Sequence, residues 1–195
     1  MGTNKFIGVH QLTYDQALKE IQTGDLIFGC GDYLVSQLIR KASDSMFSHV
    51  GMLCHWNDRV VIFESVEDDG VRAVPLSHYL FNHENSNQRY AGKLYVGRHQ
   101  SLDDPQFEKG KLPRLVGRAI DLLNRSYDKN GIAEIIARIG LGIGKHKNDE
   151  QYICSEFVDE CFKQIHIKFS RDAKGFIFPE HIAADANVKP LFEIF

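Results

Sequence analysis

The chain has 195 residues, of which 43% are hydrophobic and 25% charged, with a formal net charge of −3 at pH 7. This composition is typical of a globular protein and excludes a largely disordered one. The slight negative charge offers no basic surface, so we expect no nucleic-acid partner. No linker rich in Pro, Gly or Ser divides the sequence, and we predict a single domain over residues 1–195.

The first half of the chain predicts two helices and five strands. Thr13 and Gln16 have the spacing of a capping box that begins a helix ending near Ile21, and a second helix follows Asp32. The strands are short apolar runs, and they cover residues 25–28, 50–54, 60–63, 71–74 and 94–96. The polar segment 81–90 predicts a surface loop.

The second half of the chain predicts three helices. Apolar residues at helical spacing indicate helices over residues 113–123 and 131–139. The glycine-rich segment 140–144 lacks the Gly-Lys-Ser/Thr ending of a phosphate loop. The last helix begins near Cys154 and places its apolar residues on one face. Together the elements predict a mixed α+β fold.

The N-terminus and the cysteines bear on where the protein works. Residues 1–6 (MGTNKF) lack the apolar core of a signal peptide, and no run approaches the roughly 18 apolar residues of a membrane span. We therefore expect a cytoplasmic protein with no transmembrane segment. In that compartment the four cysteines should be free thiols, and they stand at Cys30, Cys54, Cys154 and Cys161.

Two segments about a hundred residues apart suggest nucleophilic chemistry. Residues 47–52 (FSHVGM) place His49 at the start of an apolar strand, and residues 151–157 (QYICSEF) place Cys154 in the first turn of a helix. A helix N-terminus favours a thiolate, and an imidazole on a rigid strand can take the proton of a thiol. The pair suggests a cysteine amidase or peptidase, and a core histidine with a buried thiol is the alternative.

A hairpin register adds Glu64 as a third candidate. If residues 57–58 form a two-residue turn, His49 and Glu64 become diagonal neighbours on one face of the sheet. Long polar side chains can close that diagonal to a hydrogen bond, so Glu64 could orient the imidazole and hold its tautomer. The alternative is that Glu64 turns away into a salt bridge with Arg72 or Arg59.

Other polar residues have weaker claims to a function. The nine histidines show no metal-ligand spacing such as H-E-x-x-H, so we expect no metal and no cofactor. Tyr127 could line a substrate cleft or supply a hydroxyl to an oxyanion, although a buried tyrosine with one partner is the favoured alternative. We expect Asp25, Ser48 and Glu156 to have local structural roles.

Six short motifs, taken in order, resemble the permuted papain-like enzymes of the NlpC superfamily, most closely the YaeF/YiiX-like branch. The motifs are GDLIF at 24–28, SHVG at 48–51, FES at 63–65, YD at 127–128, CSEFV at 154–158 and FPEHI at 178–182. The resemblance covers roughly residues 20–184. It implies a circularly permuted fold in which an antiparallel sheet or small barrel packs against helices. It also implies that Cys154 is the nucleophile, His49 the base and Glu64 the polar third member.

Three functions remain open at this point. The first is a cysteine hydrolase that cleaves an amide or ester bond of a small peptide or acylated substrate through a thioacyl intermediate on Cys154. The second is a thiol acyltransferase of the lecithin-retinol type, which would pass the acyl group to an amine or alcohol. The third is a non-catalytic binding module on the same fold, in which Cys154 would be unreactive. The sequence leaves the oligomeric state open.

Overall fold

The computed structural model describes residues 2–31, 45–104, 110–126, 153–173 and 175–195, and the statements below refer to these ranges. The strands are β1 (Gln11–Leu12), β2 (Leu26–Cys30), β3 (His49–Trp56), β4 (Arg59–Val66), β5 (Gly70–Pro75), β6 (Lys93–His99) and β7 (Val188–Ile194). The α-helices are α1 (Tyr14–Glu20), α2 (Leu76–Phe81), α3 (Lys111–Asp121), α4 (Cys154–Lys163) and α5 (Pro179–Ala184).

The seven strands form one open sheet in the order β1-β7-β6-β2-β3-β4-β5. Strands β2 to β5 are antiparallel neighbours, and β6 pairs antiparallel with both β2 and β7. The short β1 is parallel to β7 at one edge. The predicted α+β architecture, a mainly antiparallel sheet with helices packed on it, is therefore confirmed.

Each face of the sheet has its own apolar core, because successive side chains along a strand point to opposite faces. On one face Phe28 and Met52 pack with Phe157 of α4. On the other face Leu53 packs with Leu80 of α2. Full burial of one such side chain stabilises the fold by about 1.5–3 kcal/mol, so both helices are held firmly on the sheet.

The starts of α1 and α4 follow from their first turns. The Gln16 side chain accepts a hydrogen bond from the Thr13 N–H at 3.0 Å, and Thr13 Oγ1 accepts from the Gln16 N–H at 3.4 Å. This is the predicted capping box. At α4 the Glu156 carboxylate accepts from the Ile153 N–H at 3.4 Å, which agrees with the structural role expected for this residue. An acid in the first turn also complements the helix dipole.

Asp25 fastens the start of β2 to β6 through a buried ion pair. Its carboxylate accepts from Arg98 Nε at 2.6 Å and from Arg98 Nη2 at 2.9 Å, and it also accepts from the Gln22 N–H at 2.7 Å. Burial raises the pKa of Asp25, although the hydrogen bonds and the charge of Arg98 oppose that rise. The structural role expected of Asp25 is thus confirmed, with a partner on β6 that the sequence did not indicate.

The segment around the predicted loop 81–90 is more ordered than its polarity suggests. Leu76–Phe81 forms α2, and His83 and Tyr90 are buried against the ring of Tyr79, with ring centroids 5.0 and 5.5 Å from it. The middle of the segment is exposed. The surface-loop prediction is therefore confirmed for the exposed residues 84–89 and wrong for His83 and Tyr90, because burial of their rings outweighs the local polar composition.

Some predictions fall outside the described residues: the helix after Asp32, the helix over 131–139, the glycine-rich segment 140–144 and Tyr127. In the described part of the chain, none of the helices combines the length and apolar character needed to cross a membrane.

Candidate active site

The β3–β4 hairpin has the predicted register. Trp56 pairs with Arg59, and the ladder continues in step to Met52 opposite Phe63. Asn57 has a φ of 54°, as the tight two-residue turn requires. This register brings His49 and Glu64 together, and His49 Nε2 lies 2.7 Å from Glu64 Oε2. The hydrogen bond expected from the shared face is therefore present.

Cys154 joins this pair from α4. It is the first residue of that helix, and only 3% of it is exposed. The His49 imidazole is hydrogen-bonded to Glu64, and the Cys154 side chain is near enough to raise the pKa of the same ring. Since Nε2 is engaged by the carboxylate, Nδ1 is the ring nitrogen left for the sulfur. The His49 side chain is 21% exposed and the Glu64 side chain 0%, so the imidazole stands between a buried carboxylate and a nearly buried thiol.

The first residue of β3 is held in place by its neighbour and by β2. Ser48 Oγ donates to the Gly29 carbonyl at 3.2 Å and accepts from the Gly31 N–H at 3.1 Å. Gly29 pairs with His49, and a Cβ on Gly29 would lie 3.4 Å from His49 Cβ and 3.2 Å from the Tyr90 hydroxyl. A side chain at Gly29 would therefore press on the Tyr90 hydroxyl and come into contact with His49. The local role expected of Ser48 is confirmed.

Glu64 has two further partners that the sequence analysis did not assign to the site. Arg72 Nε and Nη2 each lie 2.9 Å from Oε1, and the Tyr79 hydroxyl donates to Oε2 at 2.6 Å. The two arrangements treated as alternatives in the sequence therefore coexist, because each carboxylate oxygen takes its own set of donors. Arg59 pairs instead with the exposed Asp58.

The charges of the site reinforce one another. Burial disfavours the imidazolium of His49, but hydrogen bonds and charge attraction from Cys154 and Glu64 outweigh it and raise its pKa from 6.5 to about 10. Burial also disfavours the carboxylate of Glu64, but His49, Arg72 and Tyr79 outweigh it and lower its pKa from 4.5 to about 2. At neutral pH the arrangement is therefore an imidazolium facing a carboxylate.

The other three cysteines have different surroundings, and all four are free thiols. Burial raises the pKa of Cys161, which is 0% exposed, well above its usual range. Burial also raises the pKa of Cys54, although a hydrogen bond from Thr23 opposes the rise. Cys30 is half-buried at the end of β2. An elevated pKa disfavours the nucleophilic thiolate, so Cys54 and Cys161 are poorly suited to catalysis.

Arg72 left a signal in the sequence that a longer count could have found, whereas Tyr79 did not. Strand β5 pairs with β4 so that Arg72 lies directly opposite Glu64, a register that a second hairpin count from Val66 and Gly70 would give. The buried face of α2 carries Leu76, Tyr79 and Leu80 at helical spacing. That helix has only six residues, which is shorter than the windows in which periodicity is informative.

Comparison with known proteins identifies the family. The family model described as permuted papain-like amidase enzyme, YaeF/YiiX, C92 family, matches residues 20–187. The chain belongs to this family. It is thus a member of an amidase family with a permuted papain-like fold, as the order of His49 before Cys154 implied. Membership supports a hydrolase in general, and the substrate is taken up below.

Two relatives bear on the fold and on metal binding. The chain is 27% identical over 140 residues to the uncharacterized protein YiiX of Escherichia coli K12; the match covers 67% of this chain and 65% of that protein, slightly under two thirds of its length. A crystal structure titled metalloprotein YiiX from Escherichia coli O157:H7 has a TM-score of 0.64 and 19% identity, covering 87% of this chain and 96% of that one. That similarity establishes a shared fold.

The related Escherichia coli structure is described as a metalloprotein. Among the residues described, no group of three or more His, Cys, Asp or Glu side chains is arranged to hold a metal ion. Both oxygens of Glu64 already accept hydrogen bonds, and the cation of Arg72 lies 2.9 Å from one of them. A metal ion at this carboxylate would have to displace its donors and approach a guanidinium, so these residues do not fit one.

Proposed function

We propose that this protein is a cysteine amidase or peptidase in which Cys154 is the nucleophile, His49 the general base and acid, and Glu64 the orienting residue. One observation carries the proposal: the imidazole of His49 is hydrogen-bonded to the Glu64 carboxylate, and the nearby Cys154 side chain raises the pKa of the same ring. A nucleophile, a base and a third group that orients the base form the arrangement that thiol hydrolases need.

The proposed reaction begins with a proton on His49 and a negative charge on the Cys154 sulfur. The thiolate attacks the carbonyl carbon of an amide, and a carbon–sulfur bond forms. The carbon–nitrogen bond then breaks, and the leaving amine takes its proton from the His49 imidazolium. Water then attacks the thioester while His49 takes one of the water protons, and the carbon–sulfur bond breaks. This releases a carboxylic acid and restores the thiolate and the imidazolium of the first step.

Two features of the site support these steps. The backbone N–H of Cys154 lies at the start of α4, where helix N–H groups and the dipole favour the negative oxygen of a tetrahedral intermediate. The Glu64 carboxylate accepts from Nε2, which fixes the tautomer that presents Nδ1 to the sulfur. It also stabilises the imidazolium that the second step needs as an acid.

The proposed substrates are short peptides of cell-wall type or N-acylated small molecules, acted on in the cytoplasm. The amidase description of the family supports an amide bond as the target. The resemblance noted in the sequence supports small peptides and acyl amides, and the proposal extends to no nucleic-acid partner.

The test is turnover of a panel of fluorogenic dipeptide amides and N-acyl amides by the wild type, Cys154→Ala and Cys161→Ala. Hydrolysis by the wild type and Cys161→Ala, but not by Cys154→Ala, is the expected result. Faster acyl transfer than hydrolysis when an amine or alcohol is added would favour the acyltransferase. No turnover, together with an unreactive Cys154, would favour the binding module.

A further inference from the structure

The carboxylate of Glu64 is buried completely and yet ionised, so its surroundings have to stabilise a charge without water. Its side chain is 0% exposed, and its partners come from three different elements: His49 in β3, Arg72 in β5 and Tyr79 in α2. Burial alone would favour the neutral acid, since an unpaired buried carboxylate is costly. The question is which partners keep it charged throughout the reaction.

His49 cannot do this alone, because its own charge changes during the proposed cycle. When His49 gives its proton to the leaving group, Glu64 faces a neutral imidazole. A buried carboxylate without another cation nearby would then tend to take a proton. A protonated Glu64 could no longer stabilise the imidazolium of the next turnover, so a permanent source of stabilisation is needed.

Arg72 and Tyr79 supply donors that stay protonated. Burial lowers the pKa of the Arg72 guanidinium, but the charge and hydrogen bonds of Glu64 raise it by more, so the net shift is upward. Burial and Glu64 both act to raise the pKa of the Tyr79 hydroxyl, which lies well above its usual value. The Tyr79 phenol is therefore a neutral hydrogen-bond donor at any pH at which the protein is expected to work. The guanidinium of Arg72 remains a cation whatever the state of His49.

The geometry also prevents the carboxylate from turning. Arg72 holds Oε1 with two nitrogens, each at 2.9 Å, while Oε2 lies 2.6 Å from the Tyr79 hydroxyl and 2.7 Å from His49 Nε2. Rotation of the carboxylate would break contacts on both oxygens. Arg72 is itself held by Asp69 at 2.6 Å.

The ring of Tyr79 is held from the side. His83 packs on it with ring centroids 5.0 Å apart, and Tyr90 at 5.5 Å. His83 is the other titratable ring near the carboxylate, and burial lowers its pKa against the opposing charges of Glu84 and Glu64. It is therefore mainly neutral at neutral pH, so the permanent charge beside Glu64 comes from Arg72.

We propose that Arg72 and Tyr79 are positioning residues that keep Glu64 ionised and fixed against His49. This inference rests on the proposed function, because it assigns the two side chains to the support of the Cys154–His49–Glu64 site. They act through Glu64. An ion pair that served stability alone would share the same contacts, so the test has to measure the ionisation of Glu64 through the chemistry of Cys154.

The experiment is the pH dependence of the rate at which iodoacetamide alkylates Cys154, followed by peptide mapping, in the full-length protein. The variants are Arg72→Met and Tyr79→Phe, with Arg59→Met and Tyr14→Phe as controls on side chains away from Glu64. Loss of either donor should raise the pH at which Glu64 takes up a proton. The acid limb of the profile, where the labelling rate falls as the pH is lowered, should therefore move to higher pH by about one unit or more. At a fixed pH on that limb, the rate should fall about tenfold.

Two further variants separate positioning from a structural role. Arg72→Lys restores the cation and should return the acid limb toward its wild-type position. In a Glu64→Gln background, Arg72→Met and Tyr79→Phe should no longer move the limb, because no carboxylate remains to protonate. If Arg72→Met does not fold, Tyr79→Phe carries the test, since it removes a single hydroxyl.

The outcomes distinguish this inference from the proposed function. His49-dependent labelling of the wild type with unmoved acid limbs in both variants would overturn the inference alone. A shift of equal size in the Glu64→Gln background would also overturn it. Labelling of Cys154 that does not depend on His49 would overturn the proposed function, and this inference with it.

Discussion

Removing the charge of Glu64 should shorten the pH range over which His49 stays protonated. Raising the pKa of His49 from 6.5 to about 10 corresponds to about 5 kcal/mol of imidazolium stabilisation, at about 1.4 kcal/mol for each tenfold change. Cys154 and Glu64 share this effect, so Glu64→Gln should remove on the order of 2 kcal/mol, or about 30-fold. The amide keeps the size of the side chain and an oxygen that can accept from the imidazole.

The assay is the rate of turnover between pH 5 and pH 11, because the leaving amine takes its proton from the His49 imidazolium. Because the folded pKa of His49 is raised, the imidazolium persists until the pH rises through about 10, and the alkaline limb should lie there in the wild type. In Glu64→Gln that limb should lie about 1.5 pH units lower. Glu67→Gln, at an exposed position in the adjacent β4–β5 turn, is the matched control. An unmoved alkaline limb in Glu64→Gln would refute the reasoning.

Three further predictions follow from the structure. Limiting iodoacetamide with peptide mapping should modify Cys154 first, and His49→Ala should slow this near pH 7; preferential labelling of Cys30 would contradict the assignment. Asp25→Ala should lower the free energy of unfolding in urea by about 3 kcal/mol, since it removes the buried partner of Arg98 and leaves only the more exposed Asp103 to pair with it; a loss under 1 kcal/mol would argue against it. Because folding lowers the pKa of Glu64 from 4.5 to about 2, ionised Glu64 should contribute about 3 kcal/mol to the free energy of unfolding above pH 4.5. This contribution should decline as the pH falls below 4.5, and unfolding of Glu64→Leu measured over the same pH range should show a smaller decline.

The hairpin was predictable because its information is local. A two-residue turn at 57–58 fixes the pairing of β3 with β4, and the alternation of side chains then places His49 and Glu64 on one face. The capping box of α1 is local in the same sense. The meeting of His49 with Cys154 was not derivable from spacing, because it depends on how α4 packs on the sheet; the resemblance supplied it.

The missed elements depend on contacts between distant parts of the chain. β1 and β7 pair with each other across the length of the chain, at the sheet edge, and β1 has only two residues. Helix α2 is too short for its apolar period to stand out, and it is stabilised by burial of Leu76 and Leu80 against the sheet. Tyr79 reaches Glu64 only once that packing exists, so its role could not be read from the sequence.

The central claim is that Cys154 gives its proton to His49 and reacts as a thiolate. The most direct measurement is the ultraviolet absorbance of the thiolate, titrated with pH and taken as the difference between the wild type and Cys154→Ala. The account predicts a thiolate difference signal at pH 7 that is lost in His49→Ala at the same pH. Identical spectra of the wild type and Cys154→Ala at pH 7 would contradict it.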